Sequence, residues 1–351
     1  MTIYEMLNSI KPDEKTDVSD TFYNTNEDSK ESPMEIVIKQ NNVNTDRIIP
    51  YTGETNNFKF DFKPSVFDEF IGQTDAKERA KSIIKKVNKG IKGHFLVDGI
   101  KGHGKTTFVE LLANELDAYL IERIGKQINE DNIIDIINEI NTCPSKNIIL
   151  FIDELDSMKS DVLKVLNPII HDFKINGIAI KPFIFAGATI NKHILIKNNP
   201  DTLDRIPTHI KFVRYSSEEL SIILKQYKEH LYQNENIYEE VYSTISNNAK
   251  FNPRTAIALL SDYIVEENMT QVLNSWGIIY HGLTNVDFKV LNILNESPKA
   301  LGANCLALKA GMSEKEYTTE IEPFLLEFGY LNRVPSRIIT DKGINILKDI
   351  L

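Results

Sequence analysis

The chain opens polar and aperiodic, then changes character. Residues 1 to about 57 are rich in Asn, Asp, Glu, Ser and Thr. Such a segment has too little apolar surface to build a core, so a disordered or weakly structured tail is expected, with Met34 to Ile38 as the stretch suited to a strand or docking segment. From Lys63 onward apolar residues follow two periods in turn. Thr74 to Asn88 has helical spacing, with Thr74 as N-cap. Phe95-Leu96-Val97, Ile148 to Ile152 and Phe183 to Ala188 are short unbroken apolar runs, the pattern of strands buried on both faces of a parallel sheet. Helical spacing separates them: Phe108, Leu111, Leu112 and Leu116, then Asn132 to Ile140, then Val162 to His171 with Pro168 as a kink. This alternation predicts a parallel, doubly wound α/β sheet.

The strands stop after Tyr215. Ser216 and Glu219 form a capping box that starts a helix, and further helices are expected over about 237–248, 253–267 and 269–276. The last segment changes again. Val286 to Leu294 and Cys305 to Lys309 are helical. Ser313 and Glu316 cap a third helix with Ile321, Phe324, Leu325 and Phe328 on one face. Tyr330-Leu331 and Arg337 to Thr340 form two short strands about a Pro335-Ser336 turn. Three helices and a hairpin make a winged helix. The expected organisation is therefore a tail (1–57), a large α/β domain (58–214), a small helical domain (215–282) and a winged helix (283–351).

Composition narrows the setting. The chain has 351 residues and is 42% hydrophobic, enough to bury cores in two or three domains. No apolar run reaches membrane-spanning length, and the polar N-terminus does not resemble a secretory signal. Cys143 and Cys305 lack metal-ligand spacing and are expected as buried free thiols in a reducing cytoplasm. A formal net charge of −10 argues against strong free-standing affinity for nucleic acid but leaves room for a local basic surface.

The chemistry concentrates after Phe95-Leu96-Val97. Gly99-Ile100-Lys101-Gly102-His103-Gly104-Lys105-Thr106 fits G-x-x-x-x-G-K-[ST], the P-loop, in its strand–loop–helix setting. The glycines let backbone N–H groups close on phosphate oxygens, Lys105 reaches the β/γ-phosphates and Thr106 holds Mg²⁺. Gly99, Gly102, His103, Gly104, Lys105, Thr106 and Thr107 are the candidate ATP contacts. Asp153 and Glu154 end the second apolar run. Asp153 suits Mg²⁺, and Glu154 the polarisation of an attacking water. Thr189 and Asn191, at the end of the third run, are both candidates to sense the γ-phosphate. Arg205 is placed to stabilise transition-state charge on a neighbouring subunit's nucleotide, and Arg254 to couple nucleotide state to the angle between domains.

In this order the residues resemble the AAA+ ATPases, and within them the RuvB-type branch-migration motors. The likeness runs from about Lys63 to Leu351. Phe67-Asp68-Glu69-Phe70-Ile71-Gly72-Gln73 resembles the adenine-contacting entry segment, with Ile71 and Gly72 at the base. Phe151-Ile152-Asp153-Glu154 is similar to Walker B, Gly187-Ala188-Thr189 to the sensor-1 strand, Arg205 to the arginine finger and Asn252-Pro253-Arg254 to sensor 2; Tyr215 matches a tyrosine near the adenine. Glu322 to Arg333, with Pro335 and Arg337-Ile338-Ile339-Thr340, resembles the winged-helix signature. The resemblance implies a P-loop AAA+ domain, a helical lid and a winged helix, a hexameric ring, ATP and Mg²⁺ as cofactors, and DNA as the substrate moved at recombination junctions.

Four departures stand out. Ile100-Lys101 replace two prolines, Ile190 stands where a second threonine is common, and Leu203 replaces an arginine. Only Lys174 to Lys181, centred on Asn176-Gly177, remain of the long hairpin that docks the family's RuvA partner, which makes that docking doubtful. The third helix of the winged domain carries Glu314, Glu316, Glu320, Glu322 and Glu327 against Lys315, which is unsuited to a major groove. Arg333 and Arg337, flanking the wing turn, are the expected phosphate contacts on duplex or four-way-junction DNA, without sequence reading. The rival classes are an initiator- or loader-type ATP switch and a nucleotide-gated scaffold. DNA-stimulated turnover separates the motor from both.

Overall fold

The computed structural model describes residues 62–350. The expected tail, including the Met34 to Ile38 segment, lies outside them. The chain divides into two compact units, meeting in sequence at Val213 and Arg214.

The first unit is built on five parallel strands: β1 (Phe95–Asp98), β2 (Ala118–Ile124), β3 (Asn147–Asp153), β6 (Ile184–Thr189) and β7 (Thr208–Lys211), in the order β2-β3-β6-β1-β7. Strand side chains alternate between faces, and β3 shows the consequence. Ile148, Leu150 and Ile152 enter one core, with Ile136, Ile140, Leu163 and Ile170 from the helices Ile133–Thr142 and Ser160–Asp172. Ile149 and Phe151 enter the other, with Ile83, Phe108 and Leu112 from the helices Thr74–Asn88 and Lys105–Glu115. Two cores on opposite faces are the doubly wound sheet the apolar runs predict. The helix beginning at Thr74 is not capped by it. Gln73 holds the N-cap position in the left-handed region (φ 51°). Its side-chain amide is engaged elsewhere, exchanging two hydrogen bonds with the backbone of Val213 (2.7 and 3.0 Å).

Between the helix Ser160–Asp172 and β6 lies a minimal hairpin, β4 (Lys174–Ile175) and β5 (Ile178–Ala179). Asn176 and Gly177 both take positive φ (48° and 83°), the two-residue turn that matches strand twist.

The second unit opens with four helices, Ser217–Leu231, Glu239–Asn248, Pro253–Glu266 and Met269–Ser275. The Ser216–Glu219 capping box is formed in both directions. A hairpin, β8 (Ile278–Tyr280) and β9 (Leu283–Thr284), leads into the winged helix. Its helices are Asn285–Glu296 and Ala303–Ala310, and its wing is β10 (Leu331–Arg333) and β11 (Arg337–Ile339). A helix not anticipated from the sequence, Asp341–Ile350, closes the domain and brings Ile346 and Leu347 to the core.

The third helix is not continuous. It runs as Glu314–Glu316, a π-turn Tyr317–Ile321, and Glu322–Glu327. Pro323 lacks the N–H that a regular helix needs at that position. The wider turn carries Tyr317 into the core, fully buried. Ser313 accepts from the Glu316 N–H at 3.1 Å, but among the described residues the reciprocal carboxylate bond of a capping box is not made. Of the two thiols expected buried, Cys143 is buried and Cys305 is exposed, because the buried side of its helix is formed by Ala303, Leu306 and Ala307.

Candidate functional site

The site sits at the carboxyl ends of β1, β3 and β6, where open α/β sheets bind ligands. An aromatic cluster sets the entry segment: Phe67 and Phe70 pack on Phe108 (centroids 5.5 and 6.4 Å), and Phe212 touches both Phe70 and Phe108 (6.3 and 5.5 Å). Lys63 pairs with Glu110 on the P-loop helix at 2.7 Å. These contacts hold Ile71 and Gly72 (φ 69°) at the end of the segment.

The P-loop begins under close constraint. A Cβ at Gly99 would lie 2.6 Å from Phe212 Cβ, so only glycine fits there. Gly102 and Gly104 take φ 84° and 86°, a conformation that costs glycine little. The helix Lys105–Glu115 follows directly, and the amides of its first turn have no intrahelical acceptor. Lys105 Nζ donates to the Gly99 and Ile100 carbonyls (2.8 and 3.0 Å), folded across the loop that phosphates would occupy. His103 is buried, with Nδ1 3.3 Å from the Lys101 carbonyl; Thr106 and Thr107 are half-buried on the first turn. Open amides, an ammonium and a hydroxyl around a concave backbone fit a nucleotide's phosphates and their magnesium.

Asp153 ends β3 and its Oδ1 accepts the Glu154 N–H at 2.8 Å. Glu154 takes φ 50° and is exposed. Its carbonyl accepts from Ser157 N and Oγ (2.8 and 2.6 Å), which fixes the turn that presents its carboxylate. Gly125 packs against that turn, where a Cβ would come within 2.5 Å of the Glu154 carbonyl oxygen. On the face of β2 toward the P-loop helix, burial pushes the Glu122 carboxyl up, helped by Glu110 and Asp153. Asp98, preceding the loop, is likewise raised by burial, against Lys192, Lys105 and Lys211.

β6 lies between β3 and β1, and the Gly99 N–H donates to the Thr189 carbonyl at 3.2 Å. The sensor strand is thus bonded to the first residue of the P-loop. Thr189 and Asn191, both read as sensors, are brought together here on one carboxylate, Asp156 (2.6 and 3.4 Å). Arg205 follows the short helix Pro200–Asp204, half-buried, with Nη1 donating to the Asp201 carbonyl at 2.8 Å.

The remaining predicted residues belong to the second unit. Tyr215 is buried at its start. Asn252 caps the helix Pro253–Glu266 by accepting the Arg254 N–H at 3.0 Å, leaving the Arg254 side chain exposed. On the wing, Arg333 is exposed and Arg337 is not. Arg337 gives both Nε and Nη2 to Glu322 (2.5 and 3.0 Å) at a buried carboxylate that Tyr317 also reaches. The expected Arg337–phosphate contact is therefore corrected: a guanidinium held bidentate inside the domain is structural. Glu322 in turn is not part of the helix's acidic surface. Burial pushes the Tyr317 hydroxyl up, and hydrogen bonding to Glu322 raises Arg337.

Two family models match the chain, the Holliday junction DNA helicase RuvB P-loop domain over residues 62–197 and the RuvB C-terminal winged helix domain over residues 280–348. The Holliday junction branch migration complex subunit RuvB of Mycoplasma genitalium is 30% identical over 305 residues, 80% of this chain and 95% of that protein. The chain belongs to the RuvB family. The Campylobacter lari subunit RuvB is 29% identical over 320 residues, covering 83% and 92%. The solved structure of the Thermotoga maritima RuvB Holliday junction branch migration motor superposes with a TM-score of 0.71 at 26% identity, covering 82% of this chain and 98% of that one.

Within this RuvB frame the sequence reading missed Asp156, Ser157 and Gly125. Asp156 lies two residues beyond Glu154 and carried a signal, a third acid after a buried strand. Gly125 carried none, since its role is the absence of a Cβ near a distant backbone oxygen. Among the described residues no helix is long and apolar enough to cross a membrane.

Proposed function

We propose that this RuvB-family ATPase is an ATP-driven motor that moves DNA at Holliday junctions, driving branch migration in recombination and repair. The observation that carries it is the joint presence, in one family-matched chain, of a built P-loop, a Walker B pair and a winged helix. In this reading Lys105 and the P-loop amides bind the triphosphate, and Thr106 and Asp153 hold Mg²⁺, which offsets phosphate charge when bound. Glu154 orients and polarises the attacking water. Arg205 acts on the nucleotide of a neighbouring subunit in a hexameric ring, and Arg254 couples nucleotide state to the lid. Ile71, Gly72 and Tyr215 flank the adenine.

DNA contact falls to Arg333, exposed on the wing beside Val334. One weak phosphate contact per subunit suits a translocating ring, since each must be released every cycle and several act together by avidity. We place this work in the cytoplasm. A RuvA-like adaptor is not docked through the β4–β5 hairpin, because two-residue strands present little beyond Ile178.

The test is steady-state ATPase with and without duplex and four-way-junction DNA, for wild type and Arg205→Ala. DNA stimulation that Arg205→Ala abolishes, while nucleotide still binds, is the expected result. Slow turnover indifferent to both DNA and Arg205 would leave an ATP switch instead of a motor.

A further inference from the structure

The proton count around Asp156 distinguishes the two sensor candidates. A threonine hydroxyl has one proton to donate. The Thr189 Oγ1 donates its proton to Asp156 Oδ1 at 2.6 Å, and the same oxygen accepts the Asn191 N–H at 3.0 Å. Thr189 is 1% exposed and has no second proton for a phosphate. Ile190, next in sequence, is exposed and apolar. The Asn191 amide differs. Its Nδ2 carries two protons, of which one makes a long 3.4 Å bond to Asp156 Oδ2, leaving the other to donate. The bond to a carboxylate also fixes which end of the amide is nitrogen.

Position agrees with this count. Asp98 on β1 registers with Thr189, and the Gly99 amide bonds the Thr189 carbonyl, so Asn191 follows a residue tied to the P-loop. Asp156 sits in the short turn Leu155–Ser157 that begins directly after Glu154. One carboxylate therefore ties the sensor strand to the turn that presents the Walker B glutamate.

We propose that Asn191 is the catalytic γ-phosphate donor of this ATPase, and that Asp156 and Thr189 are positioning residues that hold its amide in place. The proposal rests on the ATPase reading above. Asn191 acts on the transition state, so its loss lowers kcat and spares nucleotide binding.

The experiment measures kcat, KM and the binding of a fluorescent ATP analogue in the full chain for Asn191→Ala, Thr189→Val, Asp156→Ala and the double variant Asp156→Ala/Asn191→Ala, with circular dichroism melting to verify folding. Asn191→Ala is expected to lower kcat on the order of 100-fold, as removal of one preorganised donor does, with KM and analogue affinity within about twofold. Thr189→Val is expected to lose less, and the double variant to be no slower than Asn191→Ala alone, because Asp156 acts through Asn191. A kcat within about threefold of wild type in folded Asn191→Ala, or a greater loss in Thr189→Val, overturns the assignment of the donor. A further loss in the double variant overturns the positioning role. An inactive wild type would fail the ATPase reading itself and is distinguished from these outcomes at once.

Discussion

The Lys250 ammonium lies 2.6 Å from the Asp287 carboxylate, which is fully buried. Asp287 also accepts the Thr284 N–H and hydroxyl, each at 2.7 Å, completing a capping box for the helix Asn285–Glu296. Lys250 belongs to the helical domain and Asp287 to the winged helix. Beside them Phe251 stacks on Phe328 (5.2 Å, 8°) and Arg214 pairs with Glu327 at 2.5 Å. The four residues of this joint at its lid end, Lys250 to Pro253, run straight into the Arg254 helix, so displacement of that helix is transmitted to the wing through short contacts.

Lys250→Met is expected to destabilise the second unit by roughly 3–5 kcal/mol, the cost of leaving a buried carboxylate without its cation. Trp276, the single tryptophan, lies in this unit, so urea unfolding followed by its fluorescence reads the change. A loss under about 1 kcal/mol would show that the pair is not a tether.

Arg333 and Arg337 should separate cleanly. Arg337→Ala strands Glu322 and the Tyr317 hydroxyl in the winged-helix core, and roughly 3–5 kcal/mol of stability should go with it. Arg333 lies 3.5 Å from the same carboxylate but is 55% exposed, a geometry that contributes little to stability. Arg333→Ala is expected to leave unfolding within about 0.5 kcal/mol of wild type while weakening duplex binding and lowering the salt dependence by about one ion per contact. Titrations with labelled duplex at several salt concentrations check this; an unchanged salt slope sinks the wing contact.

The same pair shows what a sequence can and cannot reveal. Unbroken apolar runs located β1, β3 and β6, because strands covered on both faces must be apolar throughout. β2 escaped because it is an edge strand with one buried position, Ile121, among Tyr119, Glu122 and Arg123. The P-loop and Walker B were legible because their chemistry is contiguous. Arg337 was misjudged because its partner lies 15 residues away, across a π-turn that Pro323 produces and helical spacing does not anticipate. Gln73 was missed as a cap because its side chain answers to Val213, 140 residues on.

Gly125→Ala tests how rigidly the Walker B turn must be held. The added methyl would sit 2.5 Å from the Glu154 carbonyl oxygen and 3.2 Å from Ser157 Oγ. Backbone cannot yield there without moving Glu154. ATPase kcat is expected to fall by about tenfold or more, since small misplacement of a catalytic group is costly, with analogue binding retained. Turnover equal to wild type would mean that the turn relaxes freely.

His94 gives the first unit a defined acid response. It is buried beneath β1, its Nδ1 accepting the Phe185 N–H (2.9 Å) and its Nε2 donating to the Ile170 carbonyl (3.1 Å). That pairing requires a neutral ring, and Phe173 and Phe183 surround it. Burial, aided by Lys92, lowers its pKa from 6.5 to about 4. Below about pH 6.5 the unfolded chain therefore binds a proton that the folded chain refuses, so this contribution is complete above that pH and lost as pH falls to about 4. The loss amounts to roughly 3 kcal/mol. Urea unfolding by circular dichroism from pH 7 to 4 should show stability falling across this window in wild type, and a shallower fall in His94→Gln, which starts less stable but has no imidazole to protonate. Equal slopes in the two proteins would remove His94 from the acid response.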